Sequence, residues 1–207
     1  MARSMEDVIK RMIGHNDSKK GLIIGIDGLG GAGKTTYARS LKARLEMRDM
    51  HVVLLHMDDF IHPKRIRYNR EKAEWFCYYN IQWRYDYMIE SIFTPLQSGR
   101  SIHQTIECYD KVNDSYRNQR IHITKDTVLI IEGVFIQRPL LRPYFDFVLF
   151  LDVPKEKRLQ RVLHRDTYIG NRSDIKEKYE RRYFPAEEKY VAECSPHSKA
   201  DYVVKHE

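Results

Sequence analysis

Cysteine is scarce in this chain of 207 residues, which has only Cys77, Cys108 and Cys194. Three widely spaced cysteines suit neither a disulfide framework nor a zinc site, so we predict that all three are inert reduced thiols. Long hydrophobic runs are also missing, because no apolar stretch approaches the ~20 residues that a membrane span needs. The segment 1–20 is charged and has no apolar core of the signal-peptide kind. These absences predict a cytoplasmic protein without membrane contact.

The length predicts a single domain over 1–207, in which 1–20 form an N-terminal helix and linker. The hydrophobic fraction of 42% can support a sizeable core. The net charge of +7 suits either nucleic acid or a polyphosphate ligand. The arginines concentrate around 158–182 and no nucleic-acid motif is recognisable. We therefore favour a local phosphate site and do not expect nucleic acid as the main ligand.

One stretch organises the rest of the chain, the run from Gly28 to Thr35, which reads GLGGAGKT. It matches the phosphate-binding pattern G-x-x-x-x-G-K-[ST] without a mismatch. Glycine lets the backbone approach phosphate oxygens closely, so that successive N–H groups form an anion-binding nest. Lys34 can reach the β- and γ-phosphates, and the Thr35 hydroxyl can reach Mg²⁺. ATP and Mg²⁺ are the predicted ligands, and the predicted contacts are Gly28, Leu29, Gly30, Gly31, Ala32, Gly33, Lys34, Thr35 and Thr36.

The flanks of this run decide whether the motif is real. A short apolar strand is predicted at 22–27, and helical spacing of apolar residues follows over 37–45. The alternative is a glycine-rich turn that binds nothing. Further buried strands at 52–57, 127–133, 146–152 and 201–205 alternate with helices. This order predicts an α/β chain with the three-layer P-loop NTPase fold: a mostly parallel sheet with helices on both faces, the first strand in a central position, and a small lid.

The remaining elements are predicted from weaker patterns. They are a helix at 5–13, a helix at 85–96, a hairpin with strands at 101–109 and 121–124 around a polar loop at 110–120, and a short helix at 134–141. A further helix has Pro154 in its first turn and runs to about 164. A long helix runs from 173 to about 191, capped by Ser173 and kinked or split by Pro185. The polar segment 165–172, with its glycine, is the predicted lid.

Three carboxylates follow the predicted parallel strands, where open α/β sheets bind ligands. Asp58 is the candidate base for an attacking hydroxyl, and Glu132 is the candidate partner of Mg²⁺. We place Thr35, Asp58 and Glu132 together as the metal site. Asp59 is more consistent with a turn cap, and for Glu132 the alternative is a strand-end carboxylate that binds a backbone amide.

Arginines supply the cations. Arg158, Arg161 and Arg165 are spaced to share a helix face, and Arg172 lies in the break that follows. For Arg165 and Arg172 we favour lid residues that close on a triphosphate, Arg165 as a catalytic and substrate-contacting residue and Arg172 as a nucleotide-binding one. For Arg158 and Arg161 the choice between lid and solvated surface stays open.

An ordered set of short motifs carries a family resemblance. Ile24–Thr35, Met57-Asp-Asp-Phe, Tyr109-Asp110, Ile131-Glu-Gly, Arg165-Asp166 and Lys199-Ala-Asp-Tyr-Val-Val occur in the order seen in uridine kinases. Over about 21–205 the chain resembles uridine kinases, whose wider group includes phosphoribulokinase and the P-loop type of bacterial pantothenate kinase. The resemblance implies that Asp58 is the catalytic aspartate, that Thr35 and Glu132 belong to the metal site, and that Tyr109 lies near the nucleoside base. It also implies that Arg165 and Arg172 are lid arginines.

Three departures from the family pattern concern the acceptor. Asp114 stands where uridine kinases carry a base-reading histidine, and we keep it as a candidate substrate contact. The lid reads Tyr168-Ile-Gly-Asn-Arg172 in place of Glu-Arg-Gly-Arg, and the segment near Trp83 lacks Asp-His-Pro.

The expected function is transfer of the γ-phosphate of ATP to a hydroxyl of a small metabolite, with a nucleoside as the first candidate acceptor. The alternatives are a nucleotide-binding switch that acts on a protein partner, a kinase for a non-nucleoside alcohol such as a vitamin precursor, and a polynucleotide 5′-kinase. Asp58 favours a kinase, because a switch needs no acceptor base. A homo-oligomer stays open.

Overall fold

The computed structural model describes residues 5–14 and 21–205. The strands are β1 Ile23–Gly28, β2 Val52–His56, β3 Ile102–Asp110, β4 Ser115–Ile123, β5 Val128–Glu132, β6 Phe147–Asp152 and β7 Tyr202–Lys205. The helices are α1 Met5–Gly14, α2 Lys34–Glu46, α3 Lys64–Arg67, α4 Glu74–Phe76, α5 Tyr85–Met88, α6 Thr94–Gln97, α7 Lys155–Arg165, α8 Arg172–Lys178, α9 Phe184–Cys194 and α10 Pro196–Lys199. The helix predicted at 5–13 is α1; the linker predicted up to residue 20 lies largely outside the described residues.

Five parallel strands form the central sheet, in the order β2-β5-β1-β6-β7. The predicted central position of β1 is confirmed. Alternate residues of β5 belong to two separate cores: Leu129 and Ile131 pack with Tyr190 of α9, whereas Val128 and Ile130 pack with Leu41 of α2. The sheet is therefore buried on both faces between helical layers, as its continuous apolar strands predict.

The carboxyl ends of the parallel strands meet at one edge of the sheet. Residue 26 of β1 pairs with Glu132 of β5, and His56 of β2 pairs with Glu132 from the other side. The phosphate-binding run follows β1 at this same edge. Parallel pairing therefore collects the predicted functional residues although they are far apart in sequence.

The hairpin prediction was wrong in its loop. Strand β4 begins at Ser115, so the connection is only 111–114 and not 110–120. The Asp110 carboxylate accepts hydrogen bonds from the backbone N–H groups of Val112 and Asn113, and Asp114 has a φ of 49°. This local turn chemistry lets the strands pair to their ends. The first part of β4 carries polar side chains because much of the strand faces solvent, and for this reason its sequence resembled a loop.

The short helix predicted at 134–141 is absent from the described structure. Phe135 has a φ of 64°, which interrupts helical backbone, and the segment makes a buried turn followed by a 3₁₀ turn at Arg142–Tyr144. Phe135 itself is fully buried against Tyr78 and Tyr79. Core packing of this aromatic side chain thus accompanies an unusual backbone conformation.

The long helix after the lid is present as α8, a π-helical turn at Tyr179–Tyr183, and α9. The predicted cap is wrong: Asn171, not Ser173, caps α8, in a capping box with Asp174. Pro185 lies in the first turn of α9, directly after the π-helical turn, so the backbone departs from regular α-helix just before the residue that lacks an N–H.

Two further predictions concerned membrane spans and cysteine chemistry. None of the helices within 5–14 and 21–205 is long and apolar enough to cross a membrane. The three cysteines are buried free thiols. Burial raises the pKa of Cys108 to about 11, which disfavours the reactive thiolate.

Candidate active site

The loop between β1 and α2 has the backbone of an anion cradle. Gly31 and Gly33 have φ angles of 80° and 92°, which L-residues rarely adopt. A Cβ on Gly31 would also lie 2.8 Å from the carbonyl oxygen of Arg158. Helix α2 begins at Lys34 and runs for 13 residues, so its N-terminus adds a positive end to the nest. The cradle therefore fits a phosphate group.

Lys34 is held inside this loop. Its Nζ donates to the carbonyl oxygens of Gly28 at 2.8 Å and Leu29 at 3.1 Å, and the residue is 9% exposed. Burial lowers the pKa of Lys34, and the charges of Glu132 and Asp27 oppose that shift. The phosphate loop thus carries its own cation, poised where a polyphosphate would lie.

Thr35 and Glu132 meet as the sequence predicted. The Thr35 hydroxyl donates to Oε1 of Glu132 at 2.8 Å, and Nδ1 of His56 lies 2.7 Å from the same oxygen. Burial alone would raise the pKa of Glu132, but the contacts with His56, Lys34 and Thr35 hold it below its usual value. His56 was missed by sequence reasoning, although its place at the end of β2 beside Glu132 follows from strand register.

These oxygens fit a hard cation. Mg²⁺ is commonly held by one or two carboxylates together with substrate phosphates and water. Within the described ranges, no group of three His, Cys, Asp or Glu side chains could hold a metal alone. Thr35 and Glu132 would therefore share Mg²⁺ with a bound nucleotide.

Asp58 lies directly after β2, in the 3₁₀ turn Met57–Asp59. Asp58 is exposed, yet the surrounding protein raises its pKa; Glu132 adds to this rise, and the cations Lys34 and Arg165 oppose it. The turn can lie this close because residue 133 is glycine: a Cβ there would be 2.4 Å from Cβ of Met57.

Asp59 differs from its neighbour. Burial raises its pKa, and the charges of His56 and Arg117 oppose that rise. The two carboxylates therefore respond to different cations.

Tyr109 and Asp114 come together at the end of the hairpin. The Tyr109 hydroxyl donates to Oδ1 of Asp114 at 2.7 Å and accepts from Nη2 of Arg67 at 2.9 Å. The backbone N–H of Lys64 also donates to Asp114. In the described part of the chain, the contacts of Tyr109 and Asp114 are with Arg67, with Lys64 and with each other, and not with Asp58. Their contact with a substrate stays a prediction.

The lid arginines separate into two environments. Arg165 bonds to Asp166, which also accepts from the Tyr179 hydroxyl, and its charge influences Asp58. Arg172 instead lines an open cavity of about 610 Å³ together with Lys157, Gln160, Arg161 and His164.

Arg161 lies on the phosphate loop, where Nη1 donates to the carbonyl oxygens of Gly31 and Ala32 at 3.3 and 3.2 Å. Arg172 thus lines a cationic cavity near the phosphate loop, whereas the charge of Arg165 acts on the carboxylate of Asp58.

A second group of side chains holds the phosphate loop from behind, and sequence reasoning missed it. Asp27 accepts hydrogen bonds from the Tyr190 hydroxyl at 2.5 Å, from Nε2 of Gln137 and from the N–H of Gly28. Burial raises the pKa of Asp27, and these donors oppose the rise. Tyr190 lies 163 positions away in sequence, so no local pattern marked the contact.

Comparison with known proteins agrees with this geometry. The sequence model described as phosphoribulokinase / uridine kinase family matches residues 23–206. The chain is 30% identical over 152 residues to the uridine kinase of Staphylococcus haemolyticus (strain JCSC1435), covering 73% of this chain and 71% of that protein. It is 26% identical over 193 residues to uridine-cytidine kinase B of Dictyostelium discoideum, covering 90% and 75%. A structure of a possible uridine kinase from Bacillus stearothermophilus superposes with a TM-score of 0.76 at 31% identity, covering 95% of both chains.

Proposed function

Because the chain belongs to the phosphoribulokinase / uridine kinase family and is a P-loop small-molecule kinase, we propose that it transfers the γ-phosphate of ATP to a hydroxyl group of a nucleoside. One observation carries this proposal: Asp58 follows β2 at the edge of the sheet where His56 pairs with Glu132, and the charges of Glu132 and Lys34 act on its carboxylate. A nucleotide switch needs no acceptor base.

Each residue has a chemical role in the proposed reaction. Asp58 accepts the proton of the acceptor hydroxyl, and the oxygen attacks the γ-phosphorus while the bond to the bridging oxygen of ADP breaks. Lys34 and the loop amides stabilise the charge on the phosphates. Arg165, held by Asp166, faces the transferred group from the lid side. Thr35 and Glu132 would hold Mg²⁺, which would neutralise charge on the phosphates.

The environments of the two carboxylates support this division of labour. The pKa of Asp58 is raised, which suits a proton acceptor, whereas the pKa of Glu132 is lowered, which suits a permanently charged ligand. Two neighbouring carboxylates with pKa values pushed apart are the pattern expected of a base beside a charge-holding group.

A non-nucleoside alcohol is the second candidate acceptor. Asp114 occupies the position at which uridine kinases carry histidine, and it is bonded to Tyr109 and to the backbone of Lys64. An aspartate accepts hydrogen bonds and cannot donate one when ionised. Its presence favours an acceptor that offers donors at this end of the site.

A screen of acceptors tests the proposal. Nucleosides and small alcohols, including vitamin precursors, are incubated with ATP and Mg²⁺, and ADP release and phosphorylated product are measured against an acceptor-free control. We expect one nucleoside to raise ADP release with matching product, and excess chelator to abolish it. ADP release that no acceptor stimulates would favour the switch, and full turnover in chelator would contradict the roles of Thr35 and Glu132.

A further inference from the structure

The backbone of Gly30 is held at both its N–H and its C=O by side chains from outside the phosphate loop. Its N–H donates to Oε1 of Glu187 at 2.6 Å, and its carbonyl oxygen accepts from Nη1 of Arg158 at 2.9 Å. The two side chains also bond to each other, with Nη1 of Arg158 lying 2.9 Å from Oε2 of Glu187. Arg158, Glu187 and the N–H and C=O groups of Gly30 therefore form a closed ring of hydrogen bonds, called here the Gly30 clamp.

The clamp is buried and admits little change. Both charged side chains are only 5% exposed, and Nε of Arg158 is additionally bound to the carbonyl oxygen of Val153 at 3.1 Å. A Cβ on Gly30 would lie 3.0 Å from Oε1 of Glu187. Glycine at this position thus permits the close approach of the carboxylate.

Stability alone is a weak reason for such a pair. Removing two charges from water costs about as much as their attraction returns, and apolar pairs of similar volume are often at least as stabilising. The pair does achieve what an apolar pair cannot, because it holds both peptide units that flank the Cα of Gly30, one by its N–H and the other by its C=O.

The clamp also joins the loop to the helices that flank the lid segment 165–172. Arg158 lies on α7, which ends at Arg165, and Glu187 lies on α9, which follows α8 and the π-helical turn. One helical turn beyond Glu187, Tyr190 bonds to Asp27 at the start of the loop. Helix α9 therefore contacts the loop at two separate points.

We propose that Arg158 and Glu187 are positioning residues for the donor nucleotide, which fix the two peptide units flanking Gly30 so that the following loop amides converge on the phosphates. Neither residue is assigned a contact with the phosphates. The inference rests on the proposed function, since it concerns the nucleotide that the loop is proposed to bind.

Titration calorimetry with ADP and Mg²⁺ tests the clamp without an acceptor. Glu187→Gln keeps the shape and an oxygen for the Gly30 N–H but loses the charge pair. We expect ADP to bind at least ~tenfold more weakly, the range for loss of charged hydrogen bonds. The matched control is Glu188→Gln, whose side chain is 71% exposed and only 3.5 Å from Lys155; it should bind ADP as the wild type does.

A purely structural pair predicts a different result. The melting temperature of Glu187→Gln would fall, while ADP affinity at a temperature where the variant is fully folded would equal that of the wild type; this outcome overturns the inference. If Glu187→Gln does not fold, Arg158→Lys decides, because it keeps the buried charge but cannot reach the Gly30 and Val153 oxygens with a planar fork. Unchanged ADP affinity in Arg158→Lys would then overturn it. A wild type that fails to bind ADP would overturn the proposed function as well, whereas binding by wild type and variants alike defeats the clamp only.

Discussion

The proposed donor side, which is the phosphate loop with its contacts, and the proposed acceptor side, which includes Tyr109 and Asp114, are built in different ways. On the donor side, side chains hold the backbone of the phosphate loop: Lys34 bonds to Gly28 and Leu29, and the Gly30 clamp holds the N–H and C=O of Gly30. On the acceptor side, side chains bond mainly to each other, as Tyr109 does to Asp114 and Arg67.

The difference explains why a short motif can predict phosphate binding but cannot predict which acceptor is bound. A backbone cradle binds any polyphosphate in one way, so a short motif suffices to announce it. A network of side chains changes its preference when one member changes, so a family motif predicts the chemistry there and not the acceptor. Asp114 is such a change, and it leaves the donor side untouched.

The largest expected effect is a loss of phosphoryl transfer without a loss of ATP affinity. Asp58→Asn keeps the shape of the side chain but removes the base, so we expect phosphoryl transfer to fall by ~10²–10⁴ while ATP affinity changes little. Turnover and ATP titration calorimetry, measured on one preparation, check this pair of outcomes. Asp59→Asn is the matched control and should retain most activity. Normal transfer by Asp58→Asn, with loss in Asp59→Asn, would mean that the wrong carboxylate carries the role.

The wild-type pH profile belongs to the same prediction. Desolvation by the surrounding protein and the charge of Glu132 raise the pKa of Asp58 above its ordinary value. A base works in its deprotonated form, so turnover is lost as pH falls through this raised pKa. The acidic limb of the profile should therefore lie above the ordinary range of an aspartate, and it should disappear in Asp58→Asn.

The next largest effect should appear on the donor side. Lys34→Ala removes the cation of the phosphate loop, and we expect turnover to fall at least ~100-fold, as for other main electrostatic stabilisers. The exposed Lys176, paired with Glu180 on the surface, offers a control in Lys176→Ala. Steady-state kinetics with the best acceptor measure both. If Lys34→Ala turned over like the wild type, the loop would not be the donor site.

The smallest effect should be confined to the acceptor side. Asp114→Asn keeps an oxygen for Tyr109 but loses the charge, so we expect KM for the acceptor to rise by about two- to tenfold, the worth of one hydrogen bond, with ATP affinity unchanged. Asn118→Ala, an exposed change on β4, serves as the control. An equal loss of ATP affinity in Asp114→Asn would erase the distinction between the two sides.

Local patterns predicted the parts of the fold that local physics decides. Buried parallel strands are continuous apolar runs, so β1, β2, β5 and β6 were found, and their register brings Thr35 to Glu132 as expected. The hairpin was misjudged, because β4 carries polar side chains on its open face. Its pairing follows from the Asp110 turn instead.

Long-range contacts escaped prediction for a different reason. Glu187 reaches Gly30 across 157 positions of sequence, and an isolated glutamate in a helix has no feature that names its partner. Phe135 adopts a positive φ within a segment whose apolar residues read as helical. In both places tertiary packing decides the local structure, and the periodicity of apolar residues cannot predict it.

The absent side chain of residue 133 acts as a spacer for the whole reaction centre. A single methyl group there would collide with Met57 and push the turn that carries Asp58 away from the neighbouring strand. Such a change could silence the chain while leaving every proposed catalytic side chain in its sequence. A comparison of natural variants that examined only the lysine, the threonine and the carboxylates would class such a variant as active. Glycine at position 133 is therefore as informative about activity as any charged residue of the site.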